Sequence, residues 1–182
     1  HEVIAERGIE ALSLREVARK LGVSHQAPYR HYATRDHLLA EVMRRCFESF
    51  AQSLDKREHF DDPSEDLRSL GQAYLHFAAS HPLEYRLMFN TPWPEKADHP
   101  ALVRDASHAF NILRNVLARI HGSSKKATID LDAMFIWSTM HGLASIMQSS
   151  AMHHLDMQKS VPGKVMPHVM EMIRGAMSSR HT

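Results

Sequence analysis

The chain has one cysteine, seven glycines and a formal net charge of only +1 in 182 residues. A lone cysteine, Cys46, excludes a disulfide framework and any thiolate zinc cluster, and makes a reducing cytoplasm the expected compartment. Seven scattered glycines leave little room for phosphate-cradling loops. No uninterrupted apolar run approaches the ~20 residues that span a bilayer, and no signal-peptide pattern opens the chain. Read as a total, the near-zero charge argues against a nucleic-acid partner. Hydrophobic residues are plentiful at 43%, with 24% charged, a globular composition and not a disordered one. Fifteen histidines and eleven methionines are the unusual counts.

Apolar residues recur at helical spacing almost throughout, and no segment alternates as a strand would. One stripe runs Leu38, Leu39, Val42, Met43, Phe47, Phe50 and Leu54, and a second runs Leu67, Leu70, Tyr74 and Phe77. Later stripes span Leu102–Ile120, Ile129–Ala151 and Val169–Met177. Asp62-Pro63, His81-Pro82, Thr91-Pro92-Trp93-Pro94, Gly122-Ser123-Ser124 and Pro162-Gly163 punctuate them. The expected fold is all-α with about nine helices. No fixed period relates the stripes, so it is not a solenoid.

The first 57 residues have a different texture. Ser13 stands where a helix N-cap belongs and Glu16 follows three residues later, the spacing of a capping box. The helix so opened runs from Leu14 to about Leu21 and stops at Gly22. Ser24 supplies the cap of a second short helix ending near Tyr32, and Thr34 caps a third. Helix, glycine turn, capped helix is the layout of a helix-turn-helix, whose second helix enters the DNA major groove. Pro28 is peculiar there: at the fourth helical position it removes the first intrahelical hydrogen bond.

Local charge modifies the first impression. Between Ser13 and Arg35 lie five Lys/Arg and one acid, an excess of +4 against −3 in the remainder. That segregation is an electrostatic footprint for phosphate. Arg30 suits guanine edges or phosphate, and Gln26 suits adenine.

Residues 3–45 resemble the DNA-binding domain of TetR/AcrR-type transcriptional regulators. The matching runs are Gly8-Ile9-Glu10-Ala11-Leu12-Ser13-Leu14-Arg15-Glu16-Val17-Ala18, Leu21-Gly22-Val23-Ser24, Tyr29-Arg30-His31-Tyr32 and Arg35-Asp36-His37-Leu38-Leu39. The resemblance implies that Tyr29, His31 and Arg35 contact phosphates, while Ser13 and Ser24 cap helices and offer backbone N–H groups. His25, Gln26, Ala27 and Arg30 fall on base-facing positions. Tyr32 is expected in the small core. Pro28 departs from the family's usual aliphatic residue. The chain opens inside what reads as the last two turns of a first helix, so that helix is expected to be incomplete here.

Trp137-x-x-x-His141-Gly142 and the segment His81–Phe89 resemble one TetR subgroup in its ligand-binding and dimerisation half. The organisation implied is a three-helix DNA-binding domain over 1–57 with a connecting fourth helix, then a larger helical domain over 58–182. Two long helices, about 127–151 and 164–179, would pair with their copies in a homodimer. Small residues there (Ala144, Ser145, Ser149, Ala151, Gly175, Ala176) permit close approach, and Met147, Met170, Met172 and Met177 lie alongside as interface or core. Aromatic and methionine mass marks a candidate pocket for a small apolar effector: Tyr74, Phe77, Met88, Phe89, Phe110, Met134, Trp137 and His141.

No catalytic constellation, metal or cofactor is expected. No serine sits on a strand-turn-helix elbow, and no histidine pair has the His-x-x-x-His spacing, neither His76/His81 nor His153-His154. The reading is therefore a cytoplasmic, homodimeric, ligand-responsive repressor that binds a palindromic operator on double-stranded DNA and no membrane. Rival readings are a metal-responsive regulator, and a helical small-molecule binder without a DNA role.

Overall fold

The computed structural model describes residues 2–95, 98–121, 126–149, 154, 156, 158 and 160–178. Among them every regular element is helical: α1 (Glu2–Arg7), α2 (Leu14–Leu21), α3 (Arg35–Asp55), α4 (Pro63–Ser80), α5 (Pro82–Phe89), α6 (Pro100–His121), α7 (Lys126–Gln148) and α8 (Val165–Ser178). Short 3-10 turns lie at Ile9–Ala11, Pro28–Arg30 and Pro162–Lys164. The all-α expectation holds, with eight α-helices described.

The chain divides into two compact units, His1–Gln52 with His81–Ala109 and Ser53–Ser80 with Phe110–Thr182. In the first, the α3 stripe is buried: Leu38, Leu39, Met43, Cys46, Phe47 and Phe50 form a core with Tyr85, Leu87 and Met88 of α5. Phe89 meets the edges of Phe47, Phe50 and Tyr85 at ring separations of 5.8, 6.3 and 4.9 Å. His81-Pro82, expected as a break, ends α4 at Ser80 and starts α5. Pro82 occupies the first helical position, where its missing N–H has no partner to lose, and Tyr85 donates to the His81 carbonyl at 2.9 Å.

Arg44 ties α3 to α6. Its guanidinium donates to Glu41 at 2.8 and 3.0 Å, to Glu48 at 3.1 Å and to Asp105 of α6 at 3.0 Å. The Arg44 hydrogen bonds, with help from Arg45, hold the Glu41 carboxyl down at about 2. Nearby, burial pushes the Cys46 thiol up to about 12. Thiolate, the reactive form, is then scarce at neutral pH. Native protein is expected to release essentially no thionitrobenzoate from Ellman's reagent at pH 8, and one equivalent per chain in denaturant; rapid native labelling would contradict the packing of α3.

The second unit is held by two buried polar arrangements. Asp66, first turn of α4, accepts from Arg57 Nη2 at 3.0 Å and Arg119 Nη1 at 2.7 Å. Arg57 also donates to the Leu54 carbonyl at 2.9 Å, and Arg119 to the carbonyls of Phe60 and Asp61 at 2.8 and 2.7 Å. Ser69 adds a bond to the Glu58 carbonyl at 2.6 Å. The loop 56–62 is thereby fastened to α4 and α6 without an apolar core of its own. The second arrangement is a close polar contact with both side chains buried, His121 Nε2 to Asp132 Oδ2 at 2.9 Å, joining the end of α6 to α7. Between α4 and α8, Gly71 makes room for a methionine: a Cβ there would stand 2.9 Å from Met170 Sδ, and that flexible side chain would have to shift.

Candidate nucleic-acid interface

The interface is built by local hydrogen bonding. Glu16 N–H donates to Ser13 Oγ at 3.1 Å, so Ser13 caps α2 as expected. The reciprocal half of the box is replaced: the Glu16 carboxylate takes Arg7 at 2.7 Å and Arg19 Nε at 3.0 Å. Those arginines, Arg19 foremost, draw its carboxyl down to about 2. At the other end Gly22 adopts φ 66°, and the N–H groups of Gly22 and Val23 reach the carbonyls of Arg19 and Ala18 at 3.3 and 3.1 Å. This is the Schellman closure, in which a side chain at the glycine would strain the backbone.

The segment after it corrects one expectation. Ser24 does not open an α-helix to Tyr32; residues 25–27 form a turn and Pro28–Arg30 a 3-10 turn that begins at Ala27 with no side-chain cap. Pro28 has no N–H for the Ser24 carbonyl, and Ala27 donates to that carbonyl instead, at 3.0 Å. Bonding then continues one residue short of α-helical spacing, with Arg30 and His31 donating to Ala27 and Pro28 at 3.3 and 3.0 Å. Buried Pro28 anchors the turn, Tyr32 is half-buried, and Thr34 Oγ1 caps α3 by accepting from His37 N–H at 3.2 Å.

This turn brings the expected residues together on one short stretch. Ser24, His25, Gln26, Tyr29, Arg30 and His31 are exposed, Tyr29 by 49% despite its ring. Ala27 and Ser13 are half-buried. Arg35 is exposed but already occupied: Nε donates to the Leu12 carbonyl at 2.9 Å and Nη2 to that of Ile9 at 3.0 Å, which ties α3 back to the start of α2.

The charge count also changes in three dimensions. The window from Ser13 to Arg35 omitted Glu2 and Glu6, and both pair with Lys20. With Arg7 and Arg19 sharing Glu16, the cations left without an ionic partner among the described residues are Arg15 and Arg30. Arg15 was counted as charge without a role. Its signal was available: the neighbouring acid, Glu16, has Arg19 three residues on, the spacing of a helical pair.

The candidate effector residues fall in both units. Met88 is fully buried and Phe89 half-buried in the first. In the second, Tyr74 and Phe77 are buried on α4, and Phe110 and Trp137 are half-buried with rings 5.8 Å apart. His141, half-buried on the same helix as Trp137, has its imidazole pKa lowered by burial. Met134 is 48% exposed, on the outer side of α7. Of the methionines beside the pairing helices, Met170 and Met177 are core while Met147 and Met172 are exposed. Ala151 and His153 lie outside the described residues. Among the described residues no group of three His, Cys, Asp or Glu is placed to hold a metal, and no helix is long and apolar enough to cross a membrane.

Comparison with known proteins agrees with this architecture. Residues 1–42 match the family described as bacterial regulatory proteins, tetR family, and residues 67–162 match the tetracyclin repressor-like C-terminal domain. The HTH-type transcriptional regulator Rv1816 of Mycobacterium tuberculosis is 29% identical over 94 residues, half of this chain and 40% of the relative. The HTH-type transcriptional activator FasR of Mycolicibacterium smegmatis is 26% identical over 109 residues, 59% of this chain and 50% of that protein. The match thus spans half or less of these curated relatives. Among solved structures, the regulatory protein SCO4313 superposes with TM-score 0.71 at 25% identity, covering 96% of this chain and 90% of the other. The TetR-family regulator PfmR of Thermus thermophilus, at 17% identity and TM-score 0.61 over 97% of this chain and 91% of its own, shares the fold. With a family description covering more than half of its length, joined to a capped helix, a glycine closure and an exposed polar turn, the chain belongs to the TetR family of bacterial transcriptional regulators.

Proposed function

We propose that the protein is a homodimeric repressor that binds a palindromic operator and is released from it by a small apolar effector. In this reading residues 1–57 read DNA and residues 58–182 dimerise and sense. The carrying observation is the exposed run Ser24, His25, Gln26, Tyr29, Arg30 and His31, held on a turn closed by the backbone bonds of Ala27, Arg30, His31 and Tyr32. Side chains so placed are free to meet a duplex at little ordering cost. Tyr29, His31, Arg15 and Arg35 contact phosphate, Ser13 presents the N–H groups at the start of α2, Ser24 offers its own backbone N–H, and Gln26, Arg30, His25 and Ala27 face base edges. The two copies set recognition turns about 34–36 Å apart, one turn of DNA.

Dimerisation is supported by an unpartnered stripe on α7. Leu131, Met134, Phe135, Ser138, Gly142 and Ile146 recur at helical spacing opposite the buried Ile129, Ala133, Ile136 and Met140. Leu131 is 68% exposed, and Met172 on α8 is 62% exposed. A Cβ at Gly142 would meet nothing within 4 Å in this chain, so its smallness serves no contact of the monomer. The effector rests on Tyr74, Phe77, Phe110, Trp137 and His141 of the second unit; an occupant that fits one spacing of the recognition turns shifts the population toward it.

The test is selection of duplexes from a random pool, then titration across salt. A palindromic motif is expected. Tyr29→Ala should weaken binding to every sequence and Arg15→Ala should in addition reduce the salt slope by about 1, whereas Gln26→Ala or Arg30→Ala should relax preference at one base step by about 1–3 kcal/mol. Arg35→Ala should do as Tyr29→Ala does and also lower thermal stability, because two backbone carbonyls lose their donor. Absence of salt-sensitive duplex binding defeats the reading.

A further inference from the structure

The recognition turn is wound differently from α2 and α3 on either side of it. Ala27 donates to Ser24, Arg30 to Ala27 and His31 to Pro28, at 3.0, 3.3 and 3.0 Å, each at three-residue spacing. Tyr32 then donates to Pro28 at 2.9 Å, four residues back, so α-helical spacing resumes before α3 begins. Continuous α winding would instead send the N–H groups of Tyr29, Arg30 and His31 to the carbonyls of His25, Gln26 and Ala27. The switch is made at Pro28, which is buried and lacks the N–H that would reach Ser24.

Winding decides which side chains share a face. At ~120° per residue, positions three apart eclipse one another; at ~100° they diverge by about 60°. Ala27 and Arg30 are three apart, the first half-buried and the second exposed. The 3-10 turn therefore sets a methyl group and a guanidinium along one edge. An arginine fork suits guanine O6 and N7, and a methyl group suits the methyl of thymine. We propose that Pro28 is a specificity-determining positioning residue, an assignment that rests on the DNA-binding function proposed above. Through 3-10 winding it lines up Ala27 and Arg30, so that one edge of the turn reads guanine and thymine in the major groove. A buried residue that meets no base thus helps to choose the operator sequence.

Duplex selection from a random pool with the whole chain, beside the same chain carrying Pro28→Leu, tests this assignment. Leucine keeps the apolar bulk and restores the N–H. The wild type is expected to prefer guanine at one position of each half-site, a preference that Arg30→Ala abolishes. Pro28→Leu should lower that preference at least about tenfold. Its salt slope should stay within about 1 of the wild type, because Arg15 and Arg35 lie on α2 and α3 and keep their places. Adding Arg30→Ala to Pro28→Leu should cost nothing further at that base, which separates positioning from general loosening. Pro28→Ala, which restores the N–H with less bulk, should act at the same base, and circular dichroism with thermal melting reads the folding of each variant. A folded variant that keeps the wild-type guanine preference overturns the proposal, and so does equal weakening on all sequences. Failure of the wild type to select any motif defeats the DNA-binding reading itself, and this assignment with it.

Discussion

Asp66→Ala is expected to destabilise the protein by about 3–5 kcal/mol, a large part of the roughly 5–15 kcal/mol that a natural domain possesses. The reason is the partner left behind. The Asp66 side chain is 2% exposed and Arg57 only 5%, so removing the carboxylate strands a guanidinium charge where water reaches little of it. Arg119 is 43% exposed and can recover water, so Arg119→Ala is expected to cost less, chiefly by freeing the Phe60 and Asp61 carbonyls. Urea unfolding followed by circular dichroism reads both. The pair Asp66→Leu with Arg57→Met should regain much of the loss, because apolar residues of like volume leave no buried charge unpaired. A shift below about 1 kcal/mol for Asp66→Ala would mean that the network is incidental to the fastening of the 56–62 loop.

Phe135→Glu combined with Ile146→Glu is expected to halve the mass in sedimentation and to lower affinity for the selected palindrome by about a hundredfold or more. Both residues are exposed within the chain, 43% and 53%, so the folded monomer loses little of its own packing. In the proposed homodimer each new carboxylate would meet the same surface of the copy across a two-fold axis, where it would be repelled and desolvated at once. The loss on DNA follows from linkage: two half-sites bound by one dimer gain effective concentration worth about 10²–10⁴. Unchanged melting with changed mass separates this effect from misfolding. A variant still dimeric would move the interface off the α7 stripe.

Legibility varied with the distance over which each feature is decided. Ser13, Gly22 and Thr34 act within a few residues through their own backbone bonds, and a reader of the sequence places them correctly. The turn at 25–30 is nearly as local, yet the consequence of Pro28 was underestimated: losing one donor did not shorten an α-helix but shifted the hydrogen bonding to 3-10 spacing. Buried acids were harder. Asp66 and Asp132 stand beside Leu67 and Ala133 on apolar stripes, one turn from Leu70 and Ile136, and that position was their only signal. Nothing in their neighbours along the chain names Arg57, Arg119 or His121 as partners, because Arg57 lies in the 56–62 loop, Arg119 53 residues away on α6 and His121 at the end of α6.

Charge shows the same division. The near-zero total concealed a basic window, and the window in turn concealed which of its cations are free. By itself the sequence determined the helices, their caps and stops, and the family, since hydrophobic period, capping side chains and glycine conformation are properties of short stretches. Only the tertiary structure decided that Glu2, Glu6 and Glu16 neutralise Lys20, Arg7 and Arg19, leaving Arg15 and Arg30 of the basic window without an ionic partner among the described residues. It also decided which stripe residues are core and which, like Leu131 and Met172, face outward. Coulomb attraction and burial depend on distance in space, and that distance is set by packing between elements that the chain order keeps apart.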